Sequence, residues 1–454
     1  MKIGIIKERR EGEKRVAASA DTVKKYIQLG ADVAIESGAG LSAAVTDDAY
    51  SAAGAKIVKT AKEAIGDADV VLKVRKPTQD EIPLLKKGAL LISLMEPHKD
   101  KAIVDGIAKQ GVRAFALELV PRITRAQSMD VLSSQSNLAG YKAVLDAAAV
   151  FGRAFPMMMT AAGTVPPARV LVMGAGVAGL QAIATARRLG AIVSATDVRP
   201  AAKEQVESLG GTFVAVEDEE FKQAETAGGY AKEMSDEYKK KQAALIAETI
   251  AKQDIVITTA LIPGRPAPVL VTEEMVKTMK PGSVIVDLAV EQGGNCPLSK
   301  PGEVVEAHGV TLVGHLNVAS RVAVDASALY AKNLLNFLTP LIDKESKSIK
   351  INEEDEIIKA STITKDGEIT NDNIKALKDE PAAPKSAAKP AAKKAPAKKP
   401  AAKKDEPKAA AAKPADAKTA ETKTAETKTA ETKTAETKPD TAPKPDGSNG
   451  DAKA

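Results

Sequence analysis

Short apolar runs alternate with longer amphipathic stretches along the first 115 or so residues of the chain. Runs of this length and composition predict buried strands, and the stretches between them predict helices. The predicted strands cover residues 2–6, 32–36, 70–74, 90–94 and 113–117. Because strand and helix alternate, we expect a parallel sheet with helices on both faces.

A second alternation of the same kind begins at Arg169. Its predicted strands cover residues 170–173, 192–196, 213–216, 255–259, 284–287 and 311–314. Predicted helices over residues 136–154 and 323–338 would carry the chain into this second unit and back out of it. The fold class is therefore α/β, with two doubly wound, Rossmann-like parallel-sheet domains separated by a cleft and a disordered C-terminal tail.

We expect the first domain to be discontinuous, formed by residues 1–138 and 320–373. Residues 139–319 form the second domain, and residues 374–454 form the tail. After Leu377 the tail contains no aromatic residue and no Val, Ile, Leu or Met, so it cannot bury enough apolar surface to fold. It includes four tandem copies of Thr-Ala-Glu-Thr-Lys over residues 419–438.

Three glycines in the second unit carry the strongest chemical pattern. Gly174, Gly176 and Gly179 follow a predicted strand at G-x-G-x-x-G spacing, and Asp197 ends the next strand. This pattern predicts a tight turn, close approach of a pyrophosphate, and helix–strand contact. A carboxylate at the second strand end would accept the ribose hydroxyls and repel a 2′-phosphate, which favours NAD over NADP. The adjoining Val177 and Val198 complete this predicted site.

The charge of the chain belongs mainly to its tail. Residues 378–454 hold 18 lysines and 12 acidic residues, a net +6, so the overall +5 leaves −1 on the other residues. We therefore expect no nucleic-acid partner, since the tail also lacks aromatic residues for stacking. The single Cys296 fits a reducing compartment. The three histidines lack metal-ligand spacing, so no metal site is expected.

Other segments have an ordinary and a functional interpretation from pattern alone. The loop over residues 122–130, here called the 122–130 loop, offers Arg122, Gln127 and Asp130, but pattern alone favours an ordinary solvated loop. Residues 217–245 form an insertion that is either a lid or a surface helix with a flexible tip. We expect backbone contacts to a nucleotide after the fourth strand, from Thr259, Ala260 and Leu261. Glu291 and Asn295 also follow a strand and would face the cleft.

Three long motifs resemble the NAD(H)-binding component of proton-translocating transhydrogenase. They cover residues 122–141, 155–164 and 226–234, and the resemblance extends over residues 1–373. It implies that Arg122, Gln127 and Asp130 hold the dihydronicotinamide for direct hydride transfer, with Ser133 near its carboxamide. It also implies that Tyr230 and Met234 belong to a mobile loop over the nucleotide.

The same family resembles alanine dehydrogenase, which uses a Lys and a His for proton transfer. This chain has Arg75 and Glu96 at the matching positions. An arginine does not release its proton in water, and hydride passage between two nicotinamides needs alignment without a proton donor. The substitution favours transhydrogenase, as does the acidic extension over residues 348–369. A stand-alone alanine dehydrogenase and a non-catalytic NADH-binding module remain as alternatives.

The resemblance also implies partners and a location. NAD(H) would bind to this chain, and NADP(H) to a separate subunit. A membrane-spanning subunit would move the proton, and this component would form a homodimer. The chain would be peripheral, at the cytoplasmic face of a bacterial inner membrane.

Overall fold

The computed structural model describes residues 1–222, 234–262 and 265–377 of the chain. In chain order its strands are β1 (Lys2–Ile5), β2 (Asp32–Glu36), β3 (Lys56–Val58), β4 (Val70–Arg75), β5 (Leu90–Leu94), β6 (Arg113–Ala116), β7 (Met158–Thr160), β8 (Gly163–Val165), β9 (Arg169–Met173), β10 (Ile192–Thr196), β11 (Thr212–Phe213), β12 (Ile255–Thr258), β13 (Val284–Asp287), β14 (Val304–Ala307), β15 (Val310–Val313), β16 (Ile342–Asp343), β17 (Ser348–Ile349), β18 (Thr362–Lys365) and β19 (Glu368–Ile369).

The helices within the described residues are α1 (Ala20–Gln28), α2 (Asp47–Ala52), α3 (Ala61–Ile65), α4 (Lys101–Lys109), α5 (Val131–Val150), α6 (Val177–Arg188), α7 (Ala202–Ser208), α8 (Glu219–Lys222), α9 (Asp236–Ile250), α10 (Glu273–Thr278), α11 (Ala323–Leu338), α12 (Glu356–Ser361) and α13 (Asp372–Lys375). In the described part of the chain, no helix is both long and apolar enough to cross a bilayer.

The first sheet has the strand order β19-β18-β6-β5-β4-β1-β2-β3. Strands β1 to β6 pair in parallel, whereas β18 adds antiparallel to β6 and β19 adds antiparallel to β18. The order reverses between β1 and β4, which makes the carboxyl ends of these two strands a topological switch point. The central strands are apolar on both sides because helices cover both faces of the sheet.

The second sheet has the order β11-β10-β9-β12-β13-β15-β14 and is parallel except for β14. Its order reverses between β9 and β12, so the glycine turn after β9 lies at the switch point. The prediction of two parallel-sheet units of α/β class is confirmed. Both sheets bury two apolar clusters, one with Ile3 and one with Val71 in the first sheet, and one with Val170 and one with Leu171 in the second.

The predicted element boundaries needed several corrections. The sheets contain two short strands that the pattern did not predict, β3 and β14, and β14 alternates between exposed and half-buried positions as an edge strand does. The third strand of the second unit ends at Phe213, three residues earlier than predicted. The acidic extension includes the helix α12 between its short strands.

Two long helices join the two sheets. Helix α5 begins at Val131, five residues before its predicted start, because the Asp130 side chain caps it by accepting the backbone N–H of Ser133. Helix α5 packs closely on α6, and a Cβ atom added at Gly140 would lie 2.0 Å from the carbonyl oxygen of Ala178. Helix α11 has its predicted bounds and hydrogen-bonds to α5, where the Ser134 hydroxyl donates to Asn333 Oδ1 at 2.7 Å.

Candidate functional site

The turn between β9 and α6 has the geometry that the glycine pattern predicts. Gly174 adopts a φ of 104°, which side-chain-bearing residues rarely reach. A Cβ atom at Gly179 would lie 1.8 Å from the Gly174 carbonyl oxygen, so only glycine permits this close approach. A Cβ atom at Gly176 would contact no atom within 4 Å. Gly176 therefore leaves open space at the N-terminus of α6, where free N–H groups favour an anion.

Asp197 follows β10 and is tied to the glycine turn. Its Oδ2 accepts the backbone N–H of Ala175 at 2.7 Å, and its Oδ1 accepts the backbone N–H of Arg199 at 2.9 Å. The Arg199 guanidinium also donates to both carboxylate oxygens. The side chain of Asp197 is only 7% exposed, whereas the neighbouring Val198 is 60% exposed.

The segment after β12 lies against the same turn. The Thr259 hydroxyl donates to the Gly174 carbonyl oxygen at 3.0 Å, and a Cβ atom at Gly174 would lie 2.5 Å from Thr259 Oγ1. Asn295 accepts the Ala260 N–H and donates back to the Ala260 carbonyl, which fixes this segment. Leu261 is 46% exposed beside it.

The expectation that Asn295 faces the cleft is wrong. The residue has no exposed surface, and its side chain is consumed by hydrogen bonds to Ala260 and Pro268. Glu291 is exposed and accepts the backbone N–H of Asn317. Asn295 thus supports the turn after β12 from behind.

The predicted lid is described only in part. Tyr230 lies outside the described residues. Met234 is half-buried and packs against the apolar cluster of the second sheet, directly before the Ser235 cap of α9. Its predicted contact with a nucleotide stays a prediction.

Buried side chains and contacts with α11 and α12 hold one side of the 122–130 loop in place. Ala126 and Met129 are buried, and the Ser128 carbonyl accepts the side-chain amides of Asn333 and Asn336 from α11. Arg125 forms a two-pronged ion pair with Asp355, the cap of α12. The anchors leave the loop little freedom to move as a whole.

The predicted catalytic side chains lie on the open side of this loop. Arg122 and Gln127 are exposed, and neither side chain has a hydrogen bond or ion pair with the described residues. The Asp130 carboxylate accepts two bonds from Ser133, from its backbone N–H at 2.8 Å and its hydroxyl at 2.6 Å. Asp130 and Ser133 therefore position each other, and Asp130 also starts α5.

A second group of polar side chains lies at the carboxyl ends of β1, β4 and β5 and includes one residue from the segment after β15. We call Glu13, Arg15, Arg75, Glu96 and Asn317 the charged cluster. Arg15 is 3% exposed and donates to Glu13 at 2.7 and 2.8 Å, to Gln135 at 2.8 Å and to Asn317 at 3.2 Å. The sequence analysis named Arg75 and Glu96 of this cluster but missed Glu13 and Asn317, whose separation of 304 residues gives no local pattern.

Charge compensation within the charged cluster shifts two pKa values. Burial alone would raise the pKa of Glu13, but the hydrogen bonds and charge of Arg15 outweigh it and lower this pKa to about 2. Burial alone would lower the pKa of Arg75, but the charges of Glu96 and Glu13 outweigh it and raise this pKa above its usual value. Both groups remain charged at neutral pH.

The structure joins three predicted parts of the site by direct contact: the glycine turn, Asp197 and Thr259. The 122–130 loop is linked to them through α5, which starts at Asp130 and packs on α6 at Gly140. These features define the class: a two-domain α/β protein with a dinucleotide-type turn at the switch point of its second sheet.

Family models place the chain more closely. The model described as alanine dehydrogenase/PNT, N-terminal domain, matches residues 4–139, and the model described as alanine dehydrogenase/PNT, C-terminal domain, matches residues 143–372. The chain belongs to the alanine dehydrogenase/PNT family.

Individual relatives divide into two groups. The first part of the NAD(P) transhydrogenase subunit alpha from Rhodospirillum rubrum is 62% identical over 376 residues, which cover 82% of this chain and 98% of that protein. A crystal structure of transhydrogenase from Sinorhizobium meliloti has a TM-score of 0.75 and 56% identity, covering 81% of this chain and 100% of that one. Alanine dehydrogenase from Methanococcus maripaludis is more distant, 31% identical over 400 residues that cover 86% of this chain and 99% of that protein.

Proposed function

We propose that this chain is the NAD(H)-binding subunit of a proton-translocating transhydrogenase. It passes a hydride between its own NADH and NADP⁺ on a partner subunit. Residues 1–138 and 320–373 form the first domain and residues 139–319 the nucleotide domain, with the cleft between them as the site of transfer. The similarity to transhydrogenase subunits over the whole described region supports this proposal.

The state of Arg75 favours transhydrogenase over alanine dehydrogenase, and it is the observation that carries the proposal. Arg75 is paired with Glu13 at 3.3 Å and Glu96 at 3.5 Å, and these charges stabilise its charged form. A guanidinium in this state does not exchange a proton with a substrate. The charged cluster therefore offers Arg75 and Glu96 in place of the lysine and histidine that alanine dehydrogenase uses for proton transfer, and Arg75 cannot take over that role.

The proposed nucleotide site uses the glycine turn for the pyrophosphate. Gly174, Gly176, Val177 and Gly179 present the N-terminus of α6 to its negative charge. Asp197 and Val198 lie at the adenosine ribose, and the segment after β12 borders the crevice. Contacts from this segment and from the lid complete the site, through Thr259, Ala260, Leu261, Tyr230 and Met234.

The proposed chemical step is a hydride transfer between two nicotinamide rings. The hydride leaves C4 of NADH with both bonding electrons and forms a new C–H bond at C4 of NADP⁺, so NADH is oxidised, NADP⁺ is reduced and no proton is exchanged. Arg122 and Gln127 orient the dihydronicotinamide, and Asp130 with Ser133 holds its carboxamide side. Alignment and exclusion of water are the contributions that the chain supplies.

We also propose the assembly that the resemblance implied. One partner subunit binds NADP(H), another spans the membrane and translocates the proton, and this chain is peripheral at the cytoplasmic face of a bacterial inner membrane. A homodimer is supported by the β7–β8 hairpin, which pairs with no other described strand and exposes Met157, Met158 and Met159. An exposed apolar hairpin of this kind is typical of a protein interface.

Two assays test the proposal. Purified chain should bind NADH much more tightly than NADPH by titration calorimetry, and transhydrogenation should appear only when the NADP(H)-binding partner is added. Complete activity without a partner, or oxidation of NADH driven by pyruvate and ammonia, would contradict it. Binding of NADH with no activity under either condition would leave only the non-catalytic module.

A further inference from the structure

The carboxylate of Asp197 is saturated with hydrogen bonds inside the protein. Each oxygen accepts one backbone N–H, from Ala175 or Arg199, and one guanidinium N–H of Arg199. A carboxylate offers about four acceptor positions, so none remains for a ligand. Under the proposed function, the two hydroxyls of the adenosine ribose need the same two positions that the guanidinium holds.

The guanidinium is held by the turn as well as by Asp197. Arg199 Nε donates to Asp197 Oδ1 at 2.9 Å, and Nη2 donates to Oδ2 at 3.1 Å and to the Ala175 carbonyl at 3.3 Å. Its side chain is about one-third exposed, so this ion pair lies partly at the surface of the protein. The two backbone N–H donors do not depend on the guanidinium and can keep Asp197 in place.

An arginine next to the ribose position is the residue type that binds the 2′-phosphate of NADP in dinucleotide folds. Here its positive charge is neutralised by the carboxylate beside it. The NAD preference expected of this chain therefore reflects two opposed residues, and the acidic one dominates as long as it is present.

We propose that Arg199 is a specificity-determining residue, a latent 2′-phosphate ligand that Asp197 holds in an ion pair. This inference rests on the proposed binding of NADH to the same turn. Removal of the carboxylate breaks this ion pair, so that the Arg199 guanidinium can bind a 2′-phosphate in its place. The single change Asp197→Ser then removes a repulsive charge and makes an attractive one available to the ligand.

The experiment measures NADH, NADPH and 2′,5′-ADP binding by titration calorimetry. The variants are Asp197→Ser, Arg199→Ala and Asp197→Ser/Arg199→Ala. We expect Asp197→Ser to bind NADPH and 2′,5′-ADP roughly tenfold to hundredfold more tightly than wild type, as expected for a charged hydrogen bond to phosphate. The double variant should lose most of this gain, and Arg199→Ala alone should gain nothing for NADPH.

Lys203 provides a matched control. It lies on α7 and pairs with Glu217 at 2.5 Å, so Lys203→Ala removes one nearby positive charge without touching Asp197. Asp197→Ser/Lys203→Ala should keep the gain for NADPH. Asp197→Asn, which retains an acceptor for the Ala175 N–H, serves as a second variant if Asp197→Ser fails to fold, with thermal unfolding as the check.

The outcomes separate the two proposals. A wild-type chain that binds neither NADH nor NADPH contradicts the proposed function. A wild type that binds NADH, with Asp197 variants that fold yet gain no affinity for NADPH, overturns the role of Arg199 alone. The role of Arg199 is equally overturned if the gain persists in the Asp197→Ser/Arg199→Ala double variant.

Discussion

The glycine turn and the charged cluster lie at equivalent places in the two sheets. They differ in whether their polar groups face open space or are bonded to one another. Both follow the carboxyl ends of parallel strands at a switch point, where α/β proteins bind ligands. At the turn, Gly176 leaves open space in front of the first N–H groups of α6. In the charged cluster, Arg15 donates to three neighbouring side chains and is almost fully buried.

The difference shows that a crevice rich in charge is not by itself a binding site. The charged cluster has the composition of a carboxylate-binding site, but Glu13 already occupies Arg15 and also contacts Arg75. At the turn, Ala175 donates to Asp197, but the N-terminus of α6 at Gly176 faces open space. Whether donors are already used within the fold is therefore more informative about ligand binding than the residue types are.

Breaking the Arg15 contacts gives the largest expected effect. Arg15→Met leaves the Glu13 carboxylate buried without its main partner, so the free energy of unfolding should fall by about 3–5 kcal/mol in urea unfolding. Affinity for NADH should be unchanged because the turn is not touched. The double variant Glu13→Gln/Arg15→Met should recover much of the lost free energy of unfolding. If it does not, the packing of the Arg15 side chain, rather than its charge, accounts for the loss.

Lowering the pH should reduce the contribution of the charged cluster to the free energy of unfolding. The pKa of Glu13 is lowered from 4.5 to about 2 in the folded chain, so its stabilising contribution is complete above pH 4.5 and disappears as the pH falls toward 2. The linked loss is roughly 3 kcal/mol. Unfolding free energies of wild type and Glu13→Gln, measured across this range, should converge toward low pH. A constant difference between the two unfolding free energies over this pH range would contradict the lowered pKa of Glu13.

Two alanine substitutions in the glycine turn separate its effect on stability from its effect on NADH binding. Gly179→Ala should lower the free energy of unfolding by about 1–3 kcal/mol, since its Cβ atom collides with the Gly174 carbonyl. Gly176→Ala should keep wild-type stability yet bind NADH more weakly, because its Cβ atom enters the space proposed for the pyrophosphate. Unimpaired NADH binding by Gly176→Ala would place the pyrophosphate elsewhere.

Among the variants expected to lose stability, the smallest loss is that of a variant in the 122–130 loop. Asp130→Ala removes a helix cap and should cost about 0.5–2 kcal/mol in thermal unfolding. It should also slow transhydrogenation in the presence of the partner, because Ser133 loses its acceptor. Thr272→Ala removes the cap of α10 and is the control, since it should lower stability without slowing transfer. Equal slowing in both variants would indicate a purely structural role for Asp130.

Local patterns predicted the sheets and the glycine turn because both depend on residues close in sequence. Residues 284–287 and 192–196 are strands with the predicted bounds. The start of α5 was misplaced because the Asp130–Ser133 cap was overlooked, although its spacing is visible in the sequence. The partners of Arg15 were not predictable, since Gln135 and Asn317 are 120 and 302 residues away. The roles of Arg122, Gln127 and Tyr230 stay predictions.

The anchoring of the 122–130 loop has a consequence for the order in which the protein matures on the ribosome. The hydrogen bond of Ser128 cannot form until Asn333, 205 residues later, has been synthesised. The ion pair of Arg125 likewise requires Asp355, 230 residues later. The glycine turn needs only neighbours up to Thr259 and Asn295. In a nascent chain, the partners of the glycine turn are therefore complete well before those that anchor the 122–130 loop.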